Sequence, residues 1–167
     1  MQNDPLHIVL RKPCIKDART VWELIQKSPP LDINSLYSYL ILCAHFADTS
    51  VVAQSPEGTC GYVSAYIRPG YNHTLFIWQV AVEKEKHGQG IAKKMISHIL
   101  QRRYPNTLQY LETTVNPSNT SSNALFDSIA KSLNTHCEKS ILFSKKDFGT
   151  LDHEDEILYR IGPFDTQ

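Results

Sequence analysis

The chain has 167 residues, with 17 basic and 17 acidic side chains and therefore no net charge when its histidines are neutral. This length fits one domain of residues 1–167, large enough to bury a core. The sequence offers no basic block for nucleic acid, no acidic tail and no apolar run long enough to span a bilayer. Four widely spaced cysteines without a Cys-x-x-Cys pair, and an N-terminus without the features of a secretory signal, favour a cytoplasmic protein with buried free thiols.

The first half of the chain predicts short strands separated by two helices. The second of these helices is apolar nearly all round, so we expect it to be buried. Pro56 and Gly58 mark a turn between two β-branched runs, which is typical of a strand pair. In chain order we predict a strand at 7–14 that Pro13 ends, a helix capped by Asp17 that Pro29-Pro30 stops, a helix from Asn34 or Ser35 to Phe46, and strands at 49–54 and 60–67.

Residues 74–103 are the most informative stretch. A β-branched and aromatic run predicts a strand over Thr74–Val82, and apolar residues at three- and four-residue spacing predict a helix after Gly90. A strand, a glycine turn and a helix N-terminus together form an anion site, because backbone N–H groups point outward and the helix dipole favours negative charge. Gly88 and Gly90 allow a phosphate to approach the backbone closely, although the same glycines also fit a plain strand-to-helix turn.

The second half of the chain predicts strands and helices in alternation. We predict a strand at Tyr110–Val115, a helix at Ser121–Ser132, a strand at His136–Phe143 and a strand at Glu156–Ile161 that closes the sheet. Strands first and then alternating strands and helices indicate a mixed α/β sheet with helices on both faces.

The glycine turn resembles the acyl-CoA signature of the GCN5-related N-acetyltransferases (GNAT), Gln/Arg-x-x-Gly-x-Gly/Ala. The signature falls on His87, Gly90 and Ala92, and His87 departs from the usual glutamine or arginine. No third glycine and no Gly-Lys-Ser/Thr follows, so dinucleotide and nucleoside triphosphate loops fit badly. The resemblance implies a GNAT fold, in which a mixed and mostly antiparallel central sheet contains a splayed strand pair that holds acetyl-CoA.

Four further segments resemble a narrower family. They are Pro30-Leu31-Asp32-x-Asn34-Ser35-x-Tyr37, Phe76-x-Trp78-Gln79-Val80-Ala81-Val82, Leu111-Glu112-Thr113-Thr114-Val115-x-Pro117-x-Asn119 and His153-x-x-Glu156-x-Leu158-Tyr159-Arg160-Ile161-Gly162-Pro163. In this order they are similar to the L-2,4-diaminobutyrate acetyltransferases of ectoine synthesis, and the likeness extends from about Arg11 to Phe164. It implies transfer of an acetyl group from acetyl-CoA to the γ-amine of L-2,4-diaminobutyrate, with no metal ion and with a homodimer.

The resemblance assigns one group of residues to acetyl-CoA. Backbone groups of the turn are expected to hold the pyrophosphate, and those of the preceding strand to pair with the pantetheine amides. A backbone N–H near Val80 would polarise the thioester carbonyl. The expected cofactor-binding residues are Val80, Val82, His87, Gly88, Gly90 and Ala92.

A second group is assigned to the acceptor amine. An alkylamine has a pKa near 10, so a base or a desolvating pocket is needed, and Glu112 is the candidate base. The structural alternative for Glu112 is a charged side chain on the solvent-exposed face of its strand. The expected substrate-binding residues, each with a structural alternative, are Asp32 (helix cap), Tyr37 and Trp78 (packing), Asn119 (helix cap) and His153 (surface loop).

One position departs from the superfamily pattern. Seven residues after Asn119, where many members carry a tyrosine that protonates the departing thiolate, this chain has Phe126, which cannot donate a proton. We therefore assign no general acid. Two rival functions stay open, namely acetylation of another small amine, an antibiotic or a protein lysine, and a non-catalytic acyl-CoA-binding regulator.

Overall fold

The computed structural model describes residues 7–165. The expectation of no secretory signal concerns residues 1–6, which lie outside this range. Within it the chain divides into two compact units. Unit 1 contains the described residues up to Tyr66 together with Gln79–Arg102, and unit 2 contains Ile67–Trp78 together with the described residues from Arg103 onward. The single domain predicted for residues 1–167 stays a prediction, for which one cooperative unfolding transition is the test.

The secondary structure follows the predicted order closely. No helix of the described chain is long and apolar enough to cross a membrane. The strands are β1 Val9–Arg11, β2 Val51–Ser55, β3 Gly58–Ile67, β4 Thr74–Val82, β5 Tyr110–Val115, β6 Cys137–Phe143 and β7 Glu156–Ile161. The helices are α1 Ala18–Gln26, α2 Leu36–His45, α3 Ile91–Leu100 and α4 Thr120–Ser132.

Within the described residues the strands form a mixed sheet with the order β1-β2-β3-β4-β5-β7-β6. β4 and β5 pair in parallel, whereas β1–β2, β2–β3, β5–β7 and β6–β7 are antiparallel. The predicted fold class is therefore confirmed. The β4–β5 ladder covers Thr74–Ile77 of β4, although that strand continues to Val82. Two details of the prediction are wrong: the first strand is only three residues long, and β7 lies between β5 and β6, so β6 forms the edge.

In unit 1, α1 packs through a stripe of apolar residues. Val21 and Ile25 are almost fully buried and lie one helical turn apart, as the 3.6-residue period requires. Burying a side chain of this size contributes about 1.5–3 kcal/mol relative to leaving it exposed. Asp17 occupies the predicted N-cap position of α1 but makes no capping bond to it. Its carboxylate instead accepts hydrogen bonds from the Cys14 N–H at 2.7 Å and from the Arg11 guanidinium at 2.7 Å.

The prediction that α2 is buried is wrong for much of its surface. Tyr39, Leu42 and Cys43 enter the core of unit 1, whereas Leu36 is 36% exposed and Tyr37 is 70% exposed. The sequence does not show which side of α2 is exposed, because the helix is apolar nearly all round. Only one of its sides packs against the core of its unit. Ser35 provides the N-cap, since its hydroxyl oxygen accepts the N–H of Ser38 at 3.3 Å.

In unit 2, β5 is the inner strand that carries the residues of greatest interest. Leu111 and Thr113 are buried on one face, and the Thr113 hydroxyl donates to the Ile77 carbonyl oxygen at 3.0 Å. The strand register places Glu112 opposite Phe76 of β4 and opposite Arg160 of β7. Because side chains alternate along a strand, these three residues share one face of the sheet.

Candidate active site

The turn between β4 and α3 has the geometry of an anion-binding loop. Gly88 and Gly90 adopt left-handed φ angles of 77° and 74°, and Gly90 is the N-cap of α3. A Cβ atom placed on either glycine would meet nothing within 4 Å, so the backbone of the turn is open on that side. The first N–H groups of a helix have no intrahelical acceptor, and Ala92 lies in this first turn. The turn therefore offers backbone donors to an anion.

His87 has a different local role from the one expected of it. Its ring Nε2 lies 2.8 Å from the carbonyl oxygen of Val82, so Nε2 is the protonated nitrogen and donates to the end of β4. This bond closes the loop that leads into the glycine turn. The assignment of His87 to the cofactor thus remains a prediction, as do those of Val80 and Val82, which lie on β4 beyond the described ladder with β5.

The segment that carries Asp32 is connected to β4 by Gln79. Gln79 is only 4% exposed, its Nε2 donates to the Asp32 carbonyl oxygen at 2.9 Å, and its Oε1 accepts the Tyr39 hydroxyl at 3.2 Å. The Asp32 side chain itself is exposed, and within the described residues it makes no hydrogen bond or ion pair. The helix-cap alternative for Asp32 is wrong, because Ser35 caps α2, and the packing alternative is wrong for the exposed Tyr37.

Glu112 is not a solvent-face charge, because it is only 1% exposed. Arg68 Nη1 donates to its Oε2 at 2.8 Å, and Arg160 Nη1 donates to its Oε1. Both carboxylate oxygens are thus occupied by guanidinium groups. Trp78 follows Phe76 by two residues and so projects from the same sheet face as Glu112, with 46% of its surface exposed.

The two arginines that hold Glu112 are themselves held by tyrosines. The Arg68 guanidinium carbon lies 4.0 Å from the ring centre of Tyr71, and that of Arg160 lies 3.8 Å from the ring centre of Tyr110. The turn that carries Arg68 is closed by its N–H, which donates to the Thr74 carbonyl oxygen at 2.9 Å. Stacking fixes the planes of both guanidinium groups.

Asn119 is the N-cap of α4, because its side-chain oxygen accepts the Ser122 N–H at 3.1 Å. The structural alternative for this residue is therefore confirmed. Its NH₂ group and the second lone pair of its side-chain oxygen are left for contact with a ligand. Phe126 of the same helix is 2% exposed and lies against Tyr159, with ring centres 6.4 Å apart.

His153 is an ordered rather than a free loop histidine. Its ring stacks on Phe148 at 3.7 Å between centres, and its Nδ1 donates to the Glu154 carbonyl oxygen at 2.7 Å. Its Nε2 lies 3.7 Å from Oε1 of Glu156, which also accepts the side-chain N–H of Asn116 at 3.0 Å. Among residues 7–165 no group of three or more His, Cys, Asp or Glu side chains is arranged to hold a metal ion.

The structure thus sorts the predicted site residues by unit. Sequence reasoning missed three polar residues that organise them, Gln79, Arg68 and Arg160. Gln79 and Arg160 lie inside the segments that resemble the diaminobutyrate acetyltransferases, and this position could have marked them as site residues. Nothing in the sequence marks Arg68 except its position at the end of β3. Unit 1 holds Asp32, Tyr37, Val80, Val82, His87, Gly88, Gly90 and Ala92, and unit 2 holds Trp78, Glu112, Asn119 and His153.

Comparison with known proteins gives a consistent result. The family model of the acetyltransferase (GNAT) family matches residues 18–129. The L-2,4-diaminobutyric acid acetyltransferase of Halalkalibacterium halodurans is 42% identical over 93% of this chain and 82% of its own, and that of Bordetella parapertussis is 44% identical over 93% and 84%.

Solved structures agree with these sequence relatives. The diaminobutyrate acetyltransferase EctA from Paenibacillus lautus, in complex with its substrate L-2,4-diaminobutyric acid and coenzyme A, superimposes with a TM-score of 0.92 at 36% identity, over 97% of this chain and 98% of that one. The ribosomal-protein-S18-alanine N-acetyltransferase from Escherichia coli, at 12% identity and a TM-score of 0.72 over 96% of each chain, shares the fold. The chain belongs to the acetyltransferase (GNAT) family and, within it, to the L-2,4-diaminobutyric acid acetyltransferases.

Proposed function

We propose that this chain transfers the acetyl group of acetyl-CoA to the γ-amino group of L-2,4-diaminobutyrate and yields N-γ-acetyl-L-2,4-diaminobutyrate. The observation that carries the proposal is the likeness, over 97% of the chain, to an enzyme whose structure contains both diaminobutyric acid and coenzyme A. The product would serve the synthesis of ectoine, a compatible solute, and so osmoprotection.

On the donor side, the proposal assigns acetyl-CoA to the turn and strand end of unit 1. The N–H groups from Gly88 to Ala92 would bind the pyrophosphate, a role that the left-handed glycines and the open space beside them support. Val80 and Val82 lie beyond the described β4–β5 ladder, and their backbone groups would pair with the pantetheine amides. A backbone N–H near Val80 would stabilise the charge that develops on the thioester oxygen.

On the acceptor side, Glu112 would take the proton from the γ-ammonium group, directly or through one water. An ionised carboxylate offers about four lone-pair sites, of which the two guanidinium groups use two, so acceptor capacity remains. The neutral amine would then attack the thioester carbonyl carbon. The carbon–sulfur bond would break to release the thiolate, and the amide nitrogen would give up its extra proton to solvent water. The thiol has a pKa of about 8.5 by analogy with cysteine, so its thiolate is a tolerable leaving group. This suits a site where Phe126 donates no proton.

The remaining substrate-side residues are proposed to position diaminobutyrate. The exposed carboxylate of Asp32, which makes no described polar contact, suits an ammonium group of the substrate. Tyr37 and Trp78 are exposed aromatic side chains, and each would offer an apolar contact to the substrate. His153, held by its stacking on Phe148, and the NH₂ group of Asn119, which has no hydrogen-bond acceptor among residues 7–165, would offer polar contacts.

Measuring coenzyme A thiol release with L-2,4-diaminobutyrate, other diamines and lysine peptides tests the function. We expect rapid release with diaminobutyrate, and NMR of the product should show acetylation at the γ-nitrogen. Acetylation at the α-nitrogen, or no reaction with diaminobutyrate, would refute the assignment. Binding of acetyl-CoA in calorimetry with no thiol release from any amine would favour the non-catalytic regulator instead.

Two substitutions separate the roles of the carboxylates. Asp32→Asn should mainly raise KM, because it removes binding that is equal in the ground and transition states. Glu112→Gln should mainly lower kcat, with partial recovery at higher pH, where more of the amine is already neutral. An effect of both substitutions on KM alone would make Glu112 a binding residue and place the base elsewhere.

The chain is further proposed to form a homodimer in the cytoplasm. The edge strand β6 exposes two large apolar side chains, Ile141 at 59% and Phe143 at 48%, which suits an interface with a second copy. Size-exclusion chromatography with light scattering should give twice the mass of the chain, and Ile141→Lys should give a monomer. All four cysteines are free thiols, as a reducing compartment favours. The expectation that they are buried holds for Cys43 and Cys60 and is wrong for the exposed Cys14 and the half-buried Cys137.

A further inference from the structure

Glu112 and the two arginines bonded to it carry more positive than negative charge. The carboxylate is almost completely buried, whereas the side chains of its partners Arg68 and Arg160 are 31% and 28% exposed. No other carboxylate of the described residues forms an ion pair with either arginine. One negative and two positive charges therefore form a fixed cluster with a net charge of +1, and its positive members face outward from its negative one.

The arginines keep donors that Glu112 does not use. Each guanidinium has five N–H donors, and each gives one nitrogen, Nη1, to the carboxylate. The Nε and Nη2 groups of both have no acceptor among residues 7–165. Because Tyr71 and Tyr110 stack on the two guanidinium planes and Glu112 anchors both, these donors are held in place before any ligand arrives. Such preorganisation lowers the entropy cost of binding an anion.

We propose that Arg68 and Arg160 together bind the α-carboxylate of the amino acid substrate. The inference rests on the proposed function, because it names the recognition element for that substrate. A guanidinium fork matches a carboxylate geometrically and binds it through two parallel hydrogen bonds, which a lysine cannot do.

The dimensions of diaminobutyrate fit this arrangement. Four covalent bonds separate its carboxyl carbon from its γ-nitrogen, a span of about 5 Å. The guanidinium groups contact Glu112 directly, at 2.8 Å for Arg68. A substrate whose carboxylate lies on the outer donors of the arginines can therefore reach Glu112 with its γ-amine. The α-amine, attached next to the carboxyl carbon, is kept close to the arginines, which accounts for selectivity between the two amines.

The test compares two acceptors that differ only in the carboxylate, L-2,4-diaminobutyrate and 1,3-diaminopropane. The wild-type chain should have a KM for diaminopropane at least tenfold above that for diaminobutyrate. In Arg68→Gln and Arg160→Gln the KM for diaminobutyrate should rise about tenfold or more, while the KM for diaminopropane stays within about twofold. Because both arginines also hold the proposed base Glu112, kcat should fall by a similar factor with the two acceptors. Arg68→Lys should raise the KM for diaminobutyrate less than Arg68→Gln, because it keeps the charge but loses the fork.

Arg19→Gln is the matched control, because Arg19 is an exposed arginine on α1 that pairs with Glu23 through a surface salt bridge. It should leave both KM values unchanged. Equal KM values of the wild type for the two acceptors would overturn the inference whether or not the variants fold. So would arginine variants whose KM rises equally for both acceptors, or that weaken acetyl-CoA binding in calorimetry. A wild-type chain that does not acetylate diaminobutyrate would refute the proposed function itself.

Discussion

Substitution of Gly90 tests the glycine turn as the acetyl-CoA phosphate site. Gly90→Ala adds a Cβ atom to a residue with φ of 74°, a conformation that costs an L-residue roughly 1–2 kcal/mol. In a chain of this size each kcal/mol lowers Tm by roughly 2–4 °C. Nothing lies within 4 Å of the added Cβ, so the variant should fold with a modestly lower Tm.

Gly90→Glu causes the same backbone strain as Gly90→Ala and also adds a negative charge. A carboxylate about 5 Å from one phosphate charge, at an effective dielectric constant of about 20, opposes binding by about 3 kcal/mol. This energy corresponds to more than a hundredfold loss of affinity. Isothermal titration calorimetry with acetyl-CoA should therefore show no measurable binding by Gly90→Glu, while circular dichroism shows a folded protein.

The matched control is Gly70→Ala, because Gly70 has a similar φ of 80° and equally open space around its Cβ position. It should lower Tm by about as much as Gly90→Ala and leave the affinity for acetyl-CoA unchanged. Unaltered affinity in Gly90→Glu would show that the pyrophosphate is bound elsewhere and that the turn only connects β4 to α3.

Further predictions concern the core and its ionisable groups. Phe126→Tyr buries a hydroxyl at a cost of about 1–3 kcal/mol, so Tm should fall without a gain in the single-turnover rate; a tenfold gain would show that thiolate protonation limits the reaction. Hydrogen bonds from Arg11 hold the pKa of the Asp17 carboxyl below its ordinary value of 3.8. The stabilisation by this ion pair is therefore present above about pH 3.8 and is lost as the pH falls through the lower folded-state value. In urea unfolding, Asp17→Asn should cost about 1.5–3 kcal/mol at pH 7 and much less near pH 2, and an equal loss at both pH values would contradict the assignment. Burial raises the pKa of the Cys43 thiol to about 11, so iodoacetamide at pH 8 should label the exposed Cys14 and spare Cys43, as mass spectrometry can verify.

The local pattern of the sequence was sufficient for most of the fold. The bounds of β4, Thr74–Val82, and of β5, Tyr110–Val115, agree with the prediction to the residue, because turn residues flank both runs. The pattern failed where burial depends on distant parts of the chain. Tyr37 is exposed although its helix is apolar on several sides, and Glu112 is buried although a lone carboxylate in a strand suggests solvent.

The site was predictable only in part, for a related reason. Glycines at the start of a helix indicate a phosphate-binding loop from neighbouring residues alone. The partners of Glu112, by contrast, lie 44 and 48 residues away in the chain. Arg68 follows β3 and Arg160 lies in β7, so only the strand register brings them to one carboxylate. The spacing of residues in a single sequence therefore does not predict that these two arginines contact Glu112.

The attachment of the segment around Asp32 has a consequence for the local stability of that segment. Gln79 donates to the Asp32 carbonyl oxygen at 2.9 Å, and the Trp22 indole donates to the Asn34 carbonyl oxygen at 3.2 Å. Each such bond contributes about 1 kcal/mol net, so releasing both costs about 2 kcal/mol. Leu31 also packs against the core of unit 1, so at equilibrium fewer than about 3% of the molecules would have this segment detached at any moment. We therefore expect the backbone amides of this segment to exchange with solvent through rare local opening, before the unit as a whole unfolds.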